Sequence, residues 1–218
     1  MPDHNANRTL LTDQAHKRIE EMIVMLVLAP GERVSESILS NLIGIGTSPI
    51  REALKRLARE HLVEIIPRSG VVVASLNARK QREVLETRRV LDCLIATAAA
   101  RKSTVTERHT MATLAQEIDK TVVDKDMKSF LQCGITLHHL LAKAGGNAIA
   151  AETAASLFSV SRRFWYFHTG ARGDFSKKAT LYAAIASAVA AGDENAASDA
   201  TECLIDFLVT FTQQTLPV

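Results

Sequence analysis

The chain is poor in cysteine, in aromatic residues, in excess charge and in long apolar runs, and each shortage excludes something. Its 218 residues contain three cysteines, Cys93, Cys133 and Cys203, odd in number and far apart. None of the paired spacings that bind zinc or form a redox couple is present, so they read as small core hydrophobes in a reducing compartment. The longest apolar run, Met22 to Ala29, is much too short to span a bilayer, and Met1 to Leu11 lacks the apolar centre of a secretory signal. A cytoplasmic protein with no membrane partner is expected. The formal net charge is only +2, too small to argue for nucleic acid by itself. Residues 1–76 hold nine basic and nine acidic side chains and the remainder 17 and 15, so any functional basic character must be local. Aromatics make up 5% of the chain, yet hydrophobic residues reach 47% against 23% charged. That balance excludes disorder and predicts a packed fold, with room for two modest domains.

What is present is organised around Thr47 to Glu60, TSPIREALKRLARE. Ile50, Leu54, Leu57 and Ala58 recur at helical spacing, while Arg51, Lys55, Arg56 and Arg59 fall largely on other faces. Pro49 suits a first helical turn, and Thr47 or Ser48 can cap it. A shorter helix, Glu36 to Ile43, carries Ile38, Leu39 and Leu42 and has Ser35 as a good N-cap; Gly44-Ile45-Gly46 separates it from the cationic one. Helix, Gly-containing turn, helix is the arrangement that places a second helix in a DNA major groove. Taken alone, the cationic helix could equally be a solvated basic face.

The flanks decide between those readings. A first helix is expected from a cap at Thr12 through Ile19, Ile23, Leu26 and Val27, ending at Ala29-Pro30-Gly31, after a mobile tail at residues 1–11. Downstream, two β-prone runs, Leu62 to Ile66 and Val71 to Ala74, flank Pro67-Arg68-Ser69-Gly70 as a hairpin with a basic tip. Three helices and a hairpin make a winged helix-turn-helix over residues 12–76, whose wing reaches phosphate or the minor groove. From residue 77 to 218 strand signals are missing. Six helices are predicted, at Ala78–Arg101, Val105–Asp124, Met127–Ala144, Ala148–His168, Phe175–Ala191 and Glu194–Gln213, joined by short breakers into an antiparallel all-α bundle. The fold class is mainly α.

Three blocks in this layout resemble the N-terminal domain of the GntR family of bacterial transcriptional regulators: Ala29-Pro30-Gly31-Glu32-Arg33, Ser48-Pro49-Ile50-Arg51-Glu52-Ala53-Leu54 and Pro67-Arg68-Ser69-Gly70-Val71-Val72-Val73. The whole layout resembles the FadR subfamily with an FCD-type helical domain, through Arg88-Arg89-Val90-Leu91-Asp92 and Leu137-His138 followed by Gly146-Asn147. The resemblance implies a homodimer that binds a roughly palindromic operator, as a repressor, and responds to a small molecule in the bundle. On the residues themselves, Arg51 is the best base reader, because a guanidinium can bond both acceptors on a guanine edge. Thr47, Ser48, Lys55, Arg56 and Arg33 are placed on the DNA side, with Arg68, Ser69 and Gly70 at the wing. Relatives commonly show an arginine where this chain has Thr47, so an operator unlike the common one is expected.

Many FCD domains hold a divalent metal with one aspartate and three histidines. The matching positions here are Gly134, His138, Tyr182 and Leu204, so only His138 is retained, and no metal or other cofactor is expected. His139, next along the helix, projects about 100° away and does not replace a missing ligand. Helical spacing turns Arg88, His138 and Tyr182 inward as effector-binding residues. A buried guanidinium needs an anion, either a protein carboxylate such as Asp92 or Glu86 or an acidic effector. Arg162, Arg163, Trp165 and Tyr166 enrich one helix in groups able to hold anions or stack, or to line a dimer contact; Arg162 is counted among the effector candidates. An enzyme is not expected, because Cys133 and His138, the nearest nucleophile and base, point in different directions on their helix. A bundle that only dimerises is the alternative to effector binding.

Overall fold

The computed structural model describes residues 4–67, 70–170 and 173–215. Among these, nine helices and three short strands follow one another as α1 (His4–Val24), β1 (Arg33–Val34), α2 (Glu36–Ile43), α3 (Thr47–Arg59), β2 (Val63–Ile66), β3 (Gly70–Val73), α4 (Ala78–Lys102), α5 (Val105–Asp124), α6 (Met127–Gly145), α7 (Ala148–Thr169), α8 (Ser176–Ala191) and α9 (Glu194–Thr215). The chain forms two compact units, Met1–Asn77 with Ser159–Phe167, and Ala78–Phe158 with His168–Val218.

In the first unit one apolar core joins Ala15, Ile19 and Ile23 of α1, Leu39 and Ile43 of α2, Ile50, Ala53, Leu54 and Leu57 of α3, and Val63, Val71 and Val73 of the sheet. The four-residue spacing Leu11, Ala15, Ile19, Ile23 keeps one stripe of α1 against this core. It also lets the helix start at His4, inside the stretch expected to lack regular structure. At its other end α1 stops at Val24 rather than near Ala29. Leu26 takes a positive φ of 61° there, a backbone state costly for a branched side chain.

Ser35 caps α2 as expected, its Oγ accepting the Ile38 amide at 3.2 Å. The helix ends at Gly44, whose φ of 73° is the left-handed turn that glycine adopts without a Cβ clash. One helix face is chosen and one expected cap fails at this end of the fold. The buried residues of α2 are Leu39 and Ile43, while Ile38 and Leu42 are 64% and 63% exposed. The N-cap of α3 is Gly46, with no side-chain cap from Thr47 or Ser48, which lie inside the first turn. At the far end of α3, His61 adopts φ 62° and the Leu62 amide reaches back to the Leu57 carbonyl at 2.9 Å. That closure turns the chain into the wing.

The wing is a three-stranded antiparallel sheet, ordered β1-β3-β2, with Arg33 opposite Val72 and Val63 opposite Val73. The hairpin was expected; the two-residue β1 was not. Arg68 and Ser69 lie outside the described residues.

After residue 77 every predicted helix is present, with starts and ends shifted by no more than two residues. The caps explain this fidelity. Thr104 and Glu107 form a reciprocal capping box on α5, Asp126 caps α6, and Gly146 and Gly192 close α6 and α8 in the left-handed region. α4 packs on α9, α6 and α8, and α5 packs on α8 and α6. Arg89 pairs with Glu202 and Asp206, and Arg101 with Glu194, so α4 and α9 run antiparallel.

The orientation of α2 is open to test by denaturant unfolding. Leu39→Ala is expected to destabilise the first unit by about 2–5 kcal/mol, and Leu42→Ala by less than about 0.5 kcal/mol. Equal losses would contradict the observed face.

Candidate nucleic-acid interface and helical-unit site

Burial of Ile50, Ala53, Leu54 and Leu57 leaves the opposite face of α3 outside. Thr47, Ser48, Arg51, Lys55 and Arg59 are all exposed on it, and their spacing puts them on one stripe of less than half the helix circumference, since successive residues are about 100° apart. Arg56 lies at the edge of this stripe. Its Nη1 donates to Asp13 of α1 at 2.5 Å, so it ties α3 to α1 rather than standing among the solvated cations. Lys55 Nζ is 2.9 Å from Glu52 one turn back.

Arg51 is held differently. Its Nε donates to both oxygens of Glu36, at 2.9 and 3.0 Å, and Nη2 donates to Oε2 at 2.7 Å. The side-on edge of the guanidinium is thus matched to a carboxylate at the first position of α2. This contact holds the Glu36 carboxyl below the usual carboxylate range, with burial opposing it. Arg33 is exposed on β1 beside the wing strand β3, and Gly70 opens β3 with φ 94°.

The effector candidates divide between the two units. Arg88 is buried on α4, and its Nε and Nη2 both donate to Asp92 Oδ2, at 3.0 and 2.6 Å. Of the two carboxylates considered, Asp92 is therefore the partner, while Glu86 is exposed. Burial pushes the Asp92 carboxyl up, and the Arg88 charge opposes the push. The Arg88 guanidinium sits 5.5 Å from the Phe158 ring centre. Phe158 in turn stacks on His138 at 3.6 Å between centroids, and His138 meets the edge of Tyr182 at 6.5 Å. Arg88 is thus joined to His138 through Phe158, and His138 carries the chain of contacts on to Tyr182. Arg162 is not part of this group: it belongs to the first unit, where its Nη2 lies 3.5 Å from Glu20 of α1. Arg163, Trp165 and Tyr166 are buried in the same segment. Arg163 Nη2 donates to the Ala74 carbonyl.

Lys178 escaped the sequence reading. It is buried on α8, with its ammonium 5.5 Å from the Tyr182 ring centre and 5.9 Å from that of Phe130, which itself stacks on Phe175 at 4.8 Å. Beside Lys177 in an alanine-rich helix it looks solvated. The available signal was its four-residue spacing from Tyr182.

The residues at the family's metal positions do not fit a metal. Gly134 is buried, and a Cβ built there would lie 2.8 Å from Tyr182 Cε2, so the phenol ring fills the space in which an aspartate side chain would begin. Leu204 offers no donor atom. Among the described residues no group of three or more His, Cys, Asp or Glu could hold an ion. Gly134→Ala is expected to cost about 1–3 kcal/mol through this overlap. In a double-mutant cycle with Tyr182→Ala the cost should largely vanish, and additive losses would show that the ring does not occupy that space.

Comparison with known proteins agrees with this architecture. The family described as bacterial regulatory proteins, gntR family, matches residues 11–73, and the FCD domain matches residues 83–207, more than half of the chain. The HTH-type transcriptional repressor RspR of Escherichia coli is 24% identical over 156 residues, spanning 72% of this chain and 68% of that one. The regulator YdhC of Bacillus subtilis is 33% identical over 81 residues, 37% of this chain and 36% of its own. Among solved structures, Escherichia coli McbR/YncC superposes with a TM-score of 0.81 at 17% identity, covering 94% of this chain and 97% of the other. A GntR protein from Rhodococcus sp. RHA1 gives 0.72 at 20% identity, covering 94% and 98%. No described helix is long and apolar enough to cross a membrane. With a GntR winged helix-turn-helix followed by an FCD domain, the chain belongs to the gntR family of bacterial DNA-binding transcriptional regulators.

Proposed function

We propose that the chain is a repressor that binds a roughly palindromic operator as a homodimer and that an acidic small molecule in the helical unit alters this binding. The observation that carries the reading is the exposed stripe of Thr47, Ser48, Arg51 and Lys55 on a helix whose other face is locked into a core. Arg51 is the base reader; Lys55, Arg33, Arg68 and Ser69 meet phosphate or the minor groove, and Gly70 lets the wing backbone approach. Arg56 enters this set only by leaving Asp13. A two-fold dimer matches two half-sites because the symmetries must agree. Support for self-association comes from Val90 and Leu94, 69% and 50% exposed one turn apart on α4.

An acidic effector is supported by the groups that the second unit gathers around its rings. Arg88 and Lys178 are buried cations, and His138 and Tyr182 meet edge to face at 6.5 Å beside them. A carboxylate among these four would find charged and hydrogen-bonding partners. Arg162, committed to Glu20, is left out of this set. One observation favours the reading in which the helical unit only dimerises: the Arg88 charge is already met by Asp92 on its own helix.

Fluorescence anisotropy on DNA flanking the protein's own gene tests the first part. Arg51→Ala is expected to cost about 1–3 kcal/mol of specific affinity while changing non-specific binding much less. Equal losses would contradict base reading. For the effector, sodium salts of organic acids should raise the melting temperature of the wild type, and Lys178→Met should abolish the rise. That variant is cleaner than Arg88→Ala, which would strand Asp92 as an unpaired buried acid. A wild type indifferent to every acid would favour dimerisation alone.

A further inference from the structure

Every cation with a described partner on α3 faces a carboxylate, but only one pairing has the geometry of a guide. Lys55 and Arg56 each make a single hydrogen bond to an acid. Arg51 and Glu36 make three, across two helices fifteen residues apart. We propose that Glu36 is a positioning and specificity-determining residue for base reading by Arg51, a proposal that rests on the DNA-binding reading given above.

The donor inventory of the guanidinium supports the assignment. It has five N–H groups in one plane. Glu36 takes the side-on edge, through Nε and Nη2, and so leaves the end-on edge, one N–H of Nη1 and the second N–H of Nη2, pointing away from the carboxylate. Two parallel donors on that edge are what the O6 and N7 acceptors of guanine require. Arg51 is 56% exposed at its side chain, and an arginine this free otherwise samples many rotamers, whose entropy is surrendered on binding. Holding it beforehand lowers that loss.

Glu36 is itself well placed to hold it. It is the first residue of α2, where a negative charge complements the helix dipole, and Ser35 fixes the start of that helix through the Ile38 amide. Its side chain is 31% exposed, enough for DNA to sense the charge. A carboxylate beside the reader repels phosphate, so a register that offers Arg51 a phosphate instead of a base gains less. Glu36 therefore acts twice, by aiming the reader and by weakening attachment to arbitrary sequence.

The test is selection of bound duplexes from a randomised pool by the full-length wild type, Glu36→Ala, Glu36→Gln and Arg51→Ala, followed by anisotropy titrations on the selected duplex and on a scrambled one. Wild type should select a site with a fixed guanine, and Arg51→Ala should lose that preference. Glu36→Ala should lower the specific-to-non-specific affinity ratio by about tenfold, in part by tightening scrambled-DNA binding, within the range of one bidentate base contact. Glu36→Gln should fall between, and in the Arg51→Ala background Glu36→Ala should leave the ratio unchanged. The proposal is overturned if folded Glu36→Ala keeps the wild-type ratio, or if its loss persists undiminished without Arg51, which would mark Glu36 as a structural residue of α2. A wild type that selects no sequence overturns the DNA-reading assignment itself, and that result is distinguishable from failure of Glu36 alone.

Discussion

Burial of one face of α3 against α1 is the constraint on which the first unit depends. Ile50, Ala53, Leu54 and Leu57 are all buried, and they meet Ala15, Ile19 and Ile23. Each leucine and isoleucine among them contributes about 1.5–3 kcal/mol when taken from water, more than an exposed ion pair around it can supply. The rotation of α3 about its axis is therefore set by hydrocarbon, and the outward direction of Arg51 and Lys55 is a by-product. Polar contacts refine the placement without determining it: Arg18 donates to the Ile43 carbonyl at 2.9 Å, and Arg56 ties to Asp13. The wing follows from the same core, because Val63, Val71 and Val73 close its lower side.

The second unit is governed by a different problem, that of keeping charge and rings together in a helical interior. Arg88, Asp92 and Lys178 are buried there among Phe130, Phe158, Phe175 and Tyr182. Two mechanisms share the electrostatic load. Asp92 meets Arg88 directly, while ring faces lie near both cations, an arrangement worth up to about 2 kcal/mol when water is excluded. Cys93 shows the same environment from its edge. Burial, together with Glu202, pushes its thiol up to about 11, so it stays protonated near neutral pH and has no nucleophilic part to play. That agrees with the family's being one of regulators rather than enzymes.

Most of the helical architecture was legible because its punctuation is chemical. Thr104, Asp126, Gly146 and Gly192 stop and start helices through hydrogen bonds and backbone states that depend on a few neighbouring residues. The misses share a cause as well. An eight-residue helix has barely two turns, so α2 offers two apolar stripes of similar strength, and only the position of α1 and α3 chooses Leu39 and Ile43. β1, at two residues, exists because β3 lies beside it. The partner of Arg51 sits fifteen residues away, and the burial of Lys178 depends on rings from another helix. Distances across the fold, not propensities along the chain, decide those cases.

The fit of Tyr182 over Gly134 constrains the re-engineering of this chain. The two positions compete for one volume, so substitutions at them do not carry the same cost in either order. A side chain introduced at 134 while the phenol is in place collides with it, whereas a smaller residue at 182 opens the space first. A carboxylate at 134 therefore demands that residue 182 shrink beforehand, and any ion site designed into this interior has to begin with the ring.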